Sequence, residues 1–308
     1  MARSIGKPHL ISSTSKRHVP GPDTPGVALA TAIPDPRMKA DWDCIVLPSG
    51  VKDRLARQAA MSFVLRQKVE HSALPLHGVI GLFGPPGTGK TTLARGLGDA
   101  VSRVVRGLGD FLLVEVDAHG LTGAMLGRSQ KSVDALFRDQ VPQWGAEGPV
   151  VLVLDEVETL AADRSKLSLE ANPFDVHRAS DAVLVGLDYL GRNHPEVMVV
   201  VTSNFADAVD PALVSRLDVS YLMPLPDKAA VDAILRDTLT ALAHAFPGAE
   251  RVATATRFAE AVDAALGLDG RQIRKAVAAA CSVRSSGDLD PGKLTVEDLL
   301  LGIAEAKS

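Results

Sequence analysis

Residues 84–91 read GPPGTGKT, and this stretch decides how the rest of the chain is interpreted. Its glycines let the backbone turn back on itself and present bare N–H groups to phosphate oxygens. It follows the apolar run Val79–Phe83 and precedes a segment of helical periodicity, which is the strand, loop and helix order of a P-loop. A glycine-rich turn with a chance lysine would lack these flanks. The octapeptide therefore predicts a site for nucleotide phosphates.

The residue types within the loop predict how ATP and Mg²⁺ are held. Lys90 would reach the β- and γ-phosphates, and the Thr91 hydroxyl would hold Mg²⁺. The helix that follows offers its positive N-terminal end to the phosphates. The predicted nucleotide contacts in and after the loop are Pro86, Gly87, Thr88, Gly89, Lys90, Thr91 and Thr92.

Two adjacent acids supply the second half of such a site. Asp155 and Glu156 directly follow the aliphatic run Val150–Leu154, which is typical of a strand covered on both faces. The carboxyl ends of strands in an open parallel sheet are where ligands bind. Asp155 is therefore predicted in the Mg²⁺ shell, and Glu156 as the carboxylate that orients or deprotonates an attacking water.

Asn204 and Arg216 fit the same chemistry. Asn204 ends another apolar run and would align the attacking water, although an asparagine there is also a common turn residue. Arg216, in DPALVSRLD, would stabilise charge in the transition state. It would otherwise pair with Asp210 or Asp218.

Apolar runs and amphipathic stretches alternate along the chain, which indicates a parallel α/β sheet. The predicted fold class is a five-stranded parallel P-loop sheet with helices on both faces, followed by a small all-α lid. The predicted strands are 79–83, 111–117, 150–154, 197–203 and about 219–223, and the predicted helices between them are 90–106, 129–141 and 177–190. Four further helices are expected over 227–245, 254–266, 270–283 and 295–306.

Three domains are predicted from these changes of pattern. Residues 1–40 hold six of the 19 prolines, six Lys and Arg and two Asp, so we expect a basic disordered tail. The alternatives are that this tail folds back on the acidic body or binds an acidic partner. Residues 41–226 are expected to form the α/β domain, and residues 227–308 the helical lid.

Four motifs occur in an order that resembles an AAA+ ATPase: GPPGTGKT, VVLVLDE, VVVTSN and DPALVSRLD. Within that superfamily, the chain is similar to the pachytene-checkpoint type in the segments LDEVETLAADR and GLDGRQIRKAV. The resemblance implies an ATP-hydrolysing protein remodeller, a hexameric ring and a HORMA-domain partner. The compact chain resembles bacterial relatives that act beside HORMA proteins in cyclic-oligonucleotide anti-phage defence, where the remodeller switches signalling off.

The resemblance also assigns roles to single residues. It makes Asp155 and Glu156 the Walker B pair, Asn204 sensor 1 and Arg216 an arginine finger that reaches the neighbouring subunit. Arg271 matches the sensor 2 arginine, with Arg274 one turn on as the alternative. Ile45, in DWDCIVLP, matches the segment that lies over the adenine base.

The resemblance places the substrate-handling loop after the second strand, at AHGLTGAMLGRSQKS. Met125 and Leu126 occupy the position where related unfoldases carry a pair that grips a threaded chain, and methionine is flexible enough to hold varied sequence. The alternative is that both are core residues of a short helix. A second central loop is expected in residues 164–177.

Composition argues against several other classes of protein. A net charge of −4 and 4% aromatic residues argue against a DNA-associated motor or loader, which remains an alternative together with a nucleotide-dependent scaffold. The apolar runs are too short to span a membrane. Two cysteines cannot form a disulfide framework, which favours the cytoplasm. Scattered histidines predict no metal other than Mg²⁺.

Overall fold

The computed structural model describes residues 17–118, 121, 129–161, 173–205, 209–282 and 290–308, with the backbone alone at 129 and 173–179. Six strands lie within these ranges: β1 (Val27–Ile33), β2 (Val79–Phe83), β3 (Phe111–Val116), β4 (Val150–Leu154), β5 (Val197–Ser203) and β6 (Leu217–Leu222). They form one sheet in the order β1-β3-β4-β5-β2-β6. Strands β2 to β6 pair in parallel, as predicted, and β1 runs antiparallel to β3.

The helices before residue 226 surround this sheet. They are α1 (Pro36–Cys44), α2 (Val51–Arg66), α3 (Lys90–Val104), α4 (Ser129–Ala135), α5 (Val141–Ala146), α6 (Pro173–Asn193) and α7 (Pro211–Val214). A π-helical turn, Leu136–Gln140, joins α4 to α5, so the predicted helix over 129–141 continues to residue 146. The described residues after 226 form α8 (Lys228–Ala243), α9 (Phe258–Ala264), α10 (Gly270–Ser282) and α11 (Val296–Lys307). No helix in the described ranges is long and apolar enough to cross a membrane.

The prediction of a disordered tail over residues 1–40 is wrong for residues 27–40, because β1 and most of α1 lie there. Two of the six prolines that suggested disorder stand at element boundaries. Pro34 follows β1, and Pro36 occupies the first turn of α1, where its missing N–H costs no hydrogen bond. The Asp35 side chain caps this helix by accepting the N–H of Arg37. The predicted five-stranded sheet therefore gains a sixth, antiparallel edge strand.

The sheet is covered on both faces, which explains why its central strands are continuously apolar. Every residue of β2, β4 and β5 is buried. Alternate side chains of a strand point to opposite faces, so Leu152 packs towards α4 to α6 and Val151 towards α2 and α3. Two hydrophobic clusters result, one on each face of the sheet.

The C-terminal helical region has a third cluster of its own, built from α8 to α11. Val46 packs against this cluster, whereas its neighbour Ile45 belongs to the cluster on the α2 and α3 face of the sheet. The segment after α1 thus contacts both cores. The predicted domain boundary at residues 226–227 stays a prediction.

The register of the central strands brings their carboxyl ends to one edge of the sheet, with β4 ending two residues before β2 and β5. Phe83 of β2 pairs with Ser203 of β5, and Leu154 of β4 pairs with Val201 of β5. The residues that follow these three strands therefore emerge side by side at one edge of the sheet.

Leu97 lies on the buried face of α3 with 0% of its surface exposed, and Val104 of the same helix is 57% exposed. Leu97→Ala should lower the free energy of unfolding by about 2–5 kcal/mol, because it deletes buried apolar surface and leaves a cavity. Val104→Ala is the control and should change it by less than about 0.5 kcal/mol. Denaturant unfolding of both variants measures this, and equal effects would contradict the described packing of α3.

Candidate functional site

The loop between β2 and α3 has the backbone conformation that its glycines permit. Gly84, Gly87 and Gly89 have φ values of 143°, 76° and 90°, a region that L side chains rarely adopt. A Cβ atom at Gly87 would lie 2.2 Å from the Asp269 carboxylate, and one at Gly89 would lie 2.4 Å from Ile45 Cδ1. The positive φ values therefore favour glycine at 87 and 89, and a side chain there would also have to displace the end of Asp269 or Ile45.

Lys90 is the first residue of α3, and its ammonium group lies inside this loop. Its side chain is 6% exposed, and Nζ donates to the carbonyl oxygens of Gly84 and Pro85, each at 2.8 Å. Burial lowers the pKa of the ammonium, and the nearby Asp155 carboxylate opposes that shift. A buried cation whose hydrogen-bond partners are two neutral carbonyl groups suits an anionic ligand.

Asp155 is the centre of a hydrogen-bonded group that joins three elements. The Thr91 hydroxyl of α3 donates to Asp155 Oδ1 at 2.8 Å, and the Thr202 hydroxyl of β5 donates to the same oxygen. The Thr202 oxygen in turn accepts the Glu156 main-chain N–H at 3.2 Å. Thr202 is 0% exposed and was missed from the sequence. A lone hydroxyl in the buried run VMVVVTS was the available signal, because buried polar groups need partners.

Glu156 has φ 50° and ψ 52°, and it is the one residue other than glycine with positive φ in the described ranges. This conformation costs roughly 1–2 kcal/mol, and such outliers concentrate at functional sites. Asn204 Nδ2 donates to Glu156 Oε1 at 3.2 Å, so the two side chains that sequence analysis assigned to water activation are in contact.

These elements enclose one polar pocket at the carboxyl edge of the sheet. Its lining consists of ten residues that sequence analysis assigned to the site: Pro86, Gly87, Gly89, Lys90, Thr91, Thr92, Asp155, Glu156, Asn204 and Arg271. An apolar pocket adjoins it and shares Gly87 and Gly89. Ile45 and Thr88 line this second pocket, with Val46, Leu47 and Ile234. Together the two pockets have the chemistry of a phosphate site beside a site for a flat apolar group.

The two candidate arginines of α10 reach different pockets. Arg271 lines the polar pocket, and its charge contributes to lowering the pKa of Lys90. Its main-chain N–H also donates to the Gly87 carbonyl oxygen at 3.3 Å. Arg274 instead lines the apolar pocket and donates to the Cys44 carbonyl oxygen at 3.0 Å. The geometry favours Arg271 as the arginine beside a bound phosphate.

Arg216 lies outside both pockets of its own chain. Its Nε and Nη2 donate to the two carboxylate oxygens of Asp188 at 2.7 and 2.8 Å, and Nη1 donates to the Ala212 carbonyl oxygen. The guanidinium lowers the pKa of the Asp188 carboxyl through these hydrogen bonds. The partners expected from the sequence have other contacts: Asp210 caps α7, and Asp218 accepts main-chain N–H groups at 77 and 78.

Met125 and Leu126 lie outside the described residues, as do residues 164–172 of the expected second loop. The expectation of a loop is wrong for residues 173–177, which belong to α6.

A P-loop after one buried strand and paired acids after another, in a sheet of this order, define an AAA-type ATPase. Residues 80–225 match the family described as ATPase family associated with various cellular activities (AAA). The chain is 48% identical over 282 residues to CD-NTase-associated protein 6 of Pseudomonas aeruginosa, which covers 92% of each protein. The chain therefore belongs to the AAA ATPases and, within them, to the family of CD-NTase-associated protein 6.

Two further similarities are more distant. The chain is 35% identical over 204 residues to a pachytene checkpoint protein 2 homolog of Arabidopsis thaliana, which covers 65% of this chain but 44% of the plant protein. A chain in the solved structure of the E. coli MS115-1 HORMA:CdnC:Trip13 complex matches with a TM-score of 0.72 at 19% identity, over 93% of this chain and 97% of that one. The structural match supports the same fold.

Thr202→Val keeps the branched shape but removes the hydroxyl that joins Asp155 to the Glu156 N–H. We expect ATP turnover to fall by roughly 10-fold or more, because Asp155 and the Glu156 main chain, both parts of the predicted site, lose a shared buried hydrogen-bond partner. Thr202→Ser, which keeps the hydroxyl, is the control and should retain turnover within a few-fold. Steady-state ATPase assays measure both, and equal losses would show that the methyl group matters instead.

Proposed function

We propose that this chain hydrolyses ATP with Mg²⁺ and uses the energy to remodel a HORMA-domain protein. The observation that carries the proposal is the polar pocket, in which Lys90, Thr91, Asp155, Glu156 and Asn204 meet. The 48% identity to CD-NTase-associated protein 6 supports the same conclusion.

The residues present fit both ligands. Main-chain N–H groups of the glycine loop and the Lys90 ammonium match phosphate oxygens, and the adjoining pocket around Ile45 matches an adenine base. The Thr91 hydroxyl and the Asp155 carboxylate are hard oxygen donors of the kind that Mg²⁺ prefers. When bound, Mg²⁺ would neutralise phosphate charge and polarise the bond that breaks.

The chain's own groups then divide the work of hydrolysis. Glu156 holds a carboxylate at the pocket, where it accepts the proton of the attacking water. Asn204 fixes the direction of that carboxylate through its amide. Lys90 and Arg271 supply positive charge where negative charge develops on the phosphate oxygens.

We also propose that a second copy of this chain completes the site. Arg216 lies away from the pocket of its own chain, and three of the five guanidinium N–H groups bond to Asp188 and Ala212. Two N–H groups remain for an anion outside the chain. A ring, which we take to be a hexamer, would bring Arg216 to the nucleotide of the neighbouring copy.

The partner and its setting follow from the relatives. We propose a HORMA-domain substrate in cyclic-oligonucleotide anti-phage defence, with a role in switching the signal off in the cytoplasm. The names CD-NTase-associated protein 6 and HORMA:CdnC:Trip13 complex support this setting. Met125 and Leu126 are the residues that we propose grip the substrate, and nucleic acid is not proposed as a ligand.

Glu156→Gln keeps the shape of the side chain and removes the proton acceptor. ATP binding and ring assembly should persist, while turnover falls by a factor on the order of 10² or more. The conformational change of a purified HORMA partner should stop when turnover is lost. Nucleotide titration, ATPase assays and proteolysis of the partner measure the three effects.

The matched control is Glu147→Gln, which makes the same change at the amino end of β4, remote from the pocket. It should behave as wild type. Turnover of Glu156→Gln within a few-fold of wild type would contradict the role of Glu156, and remodelling without turnover would contradict ATP-driven work.

Arg216→Ala should bind nucleotide normally and hydrolyse poorly, because its guanidinium acts on a neighbour's ATP. Mixing it with Lys90→Ala subunits, which keep Arg216 but cannot hold phosphate, should restore part of the activity. Assays of mixed rings across a range of subunit ratios test this. Lack of recovery in rings that demonstrably contain both variants would argue for action within one chain.

A further inference from the structure

Glu158 is a carboxylate behind the polar pocket that the proposed mechanism leaves unused. It lies in the single helical turn Val157–Thr159, which begins directly after Glu156. Its charge acts on Lys90, where it raises the pKa against the effect of burial. Glu158 is therefore close to the phosphate site although it does not line the pocket.

The two oxygens of this carboxylate have different environments. Oε1 accepts the main-chain N–H of Asn204 at 3.2 Å. Oε2 is buried and has no hydrogen-bond partner among the described residues. Buried carboxylate oxygens normally have partners, because removal from water without replacement of its hydrogen bonds is unfavourable. Stability of the fold is therefore a poor explanation for this carboxylate.

Asn204 is held at two points by neighbouring acids of one short segment. Its side-chain amide donates to Glu156, and its main-chain N–H donates to Glu158. The segment that carries both acids is fixed by Val157, which is 0% exposed in the core. The contact between Asn204 and Glu156 thus depends on where Glu158 holds the main chain after β5.

We propose that Glu158 is a positioning residue for ATP hydrolysis, which holds the turn after β5 so that the Asn204 amide faces Glu156. It acts as a hydrogen-bond acceptor through Asn204 and does not touch the nucleotide. This inference rests on the proposed function, because it assigns a part in the same hydrolysis.

The hydrogen bond from the Asn204 main-chain N–H to Glu158 can be tested without nucleotide. In the full-length protein free of ATP, amide hydrogen exchange by NMR should show that the Asn204 N–H is protected in wild type. Glu158→Ala removes the acceptor and should speed this exchange at least 10-fold, because the amide loses its partner. Glu158→Gln retains an acceptor oxygen and should preserve most of the protection.

Kinetics test whether the contact matters for the reaction. Glu158→Ala should lower kcat by roughly 10- to 100-fold, as expected for a displaced catalytic group, with KM for ATP within about 3-fold of wild type. Glu158→Gln should recover kcat to within about 3-fold. In an Asn204→Ala background, Glu158→Ala should cost less than about 3-fold, since residues that act through each other are not additive.

Glu147→Ala is the matched control, because the Glu147 carboxylate also accepts a main-chain N–H at 3.2 Å, from His18, but at the amino end of β4. It should leave kcat and Asn204 exchange unchanged. If Glu158→Ala does not fold, Glu158→Met replaces it, since Met keeps the length without the acceptor.

Three results would overturn the inference: an unchanged kcat in Glu158→Ala, a Gln variant as impaired as Ala, or full additivity with Asn204→Ala. The second would mean that the charge acts directly on Lys90. Failure of the proposed function is distinguishable, since wild type would then show no Mg²⁺-dependent ATP turnover, whereas failure of this inference leaves wild-type turnover intact.

Discussion

The common register of β2, β4 and β5 is the constraint on which the site depends. Phe83 lies opposite Ser203 and Leu154 opposite Val201, so β2 and β5 end at the same level of the sheet and β4 ends two residues earlier. A slip of one residue would send every side chain of a strand to the other face. Full burial of the three strands makes such a slip unfavourable, and the apolar core thereby sets the spacing of the polar groups above it.

The polar groups fixed in this way form a continuous set of hydrogen bonds. Thr202 of β5 bonds to the Asp155 carboxylate and to the Glu156 main-chain N–H, both of which follow β4. The Thr91 hydroxyl of α3 also donates to Asp155, and the Asn204 amide, which follows β5, donates to the Glu156 carboxylate. The left-handed conformation of Glu156 is maintained by these surroundings at a cost of roughly 1–2 kcal/mol. Residues that stabilise the fold and residues that arrange the chemistry are here the same residues or immediate neighbours.

Much of this arrangement is predictable from sequence, because local signals carry it. Continuous apolar runs predict buried parallel strands, GPPGTGKT predicts the loop, and acids at a strand end predict ligands at the sheet edge. Thr202, Asp188 and Glu158 were missed, since their partners lie 47, 28 and 46 residues away. The edge strand β1 was missed because its seven residues lie between prolines, only one of them is buried and they have no periodic pattern; pairing with β3 explains the strand. The proposed grip by Met125 and Leu126 stays a prediction.

The ion pair between Arg216 and Asp188 has a consequence for assembly. A free arginine side chain loses about 2 kcal/mol of rotamer entropy when it is immobilised. In this chain Asp188 and the Ala212 carbonyl already restrain the guanidinium within the single protomer. The ordering of Arg216 is therefore completed on folding, and the proposed docking of a second copy would not bear that entropic penalty again.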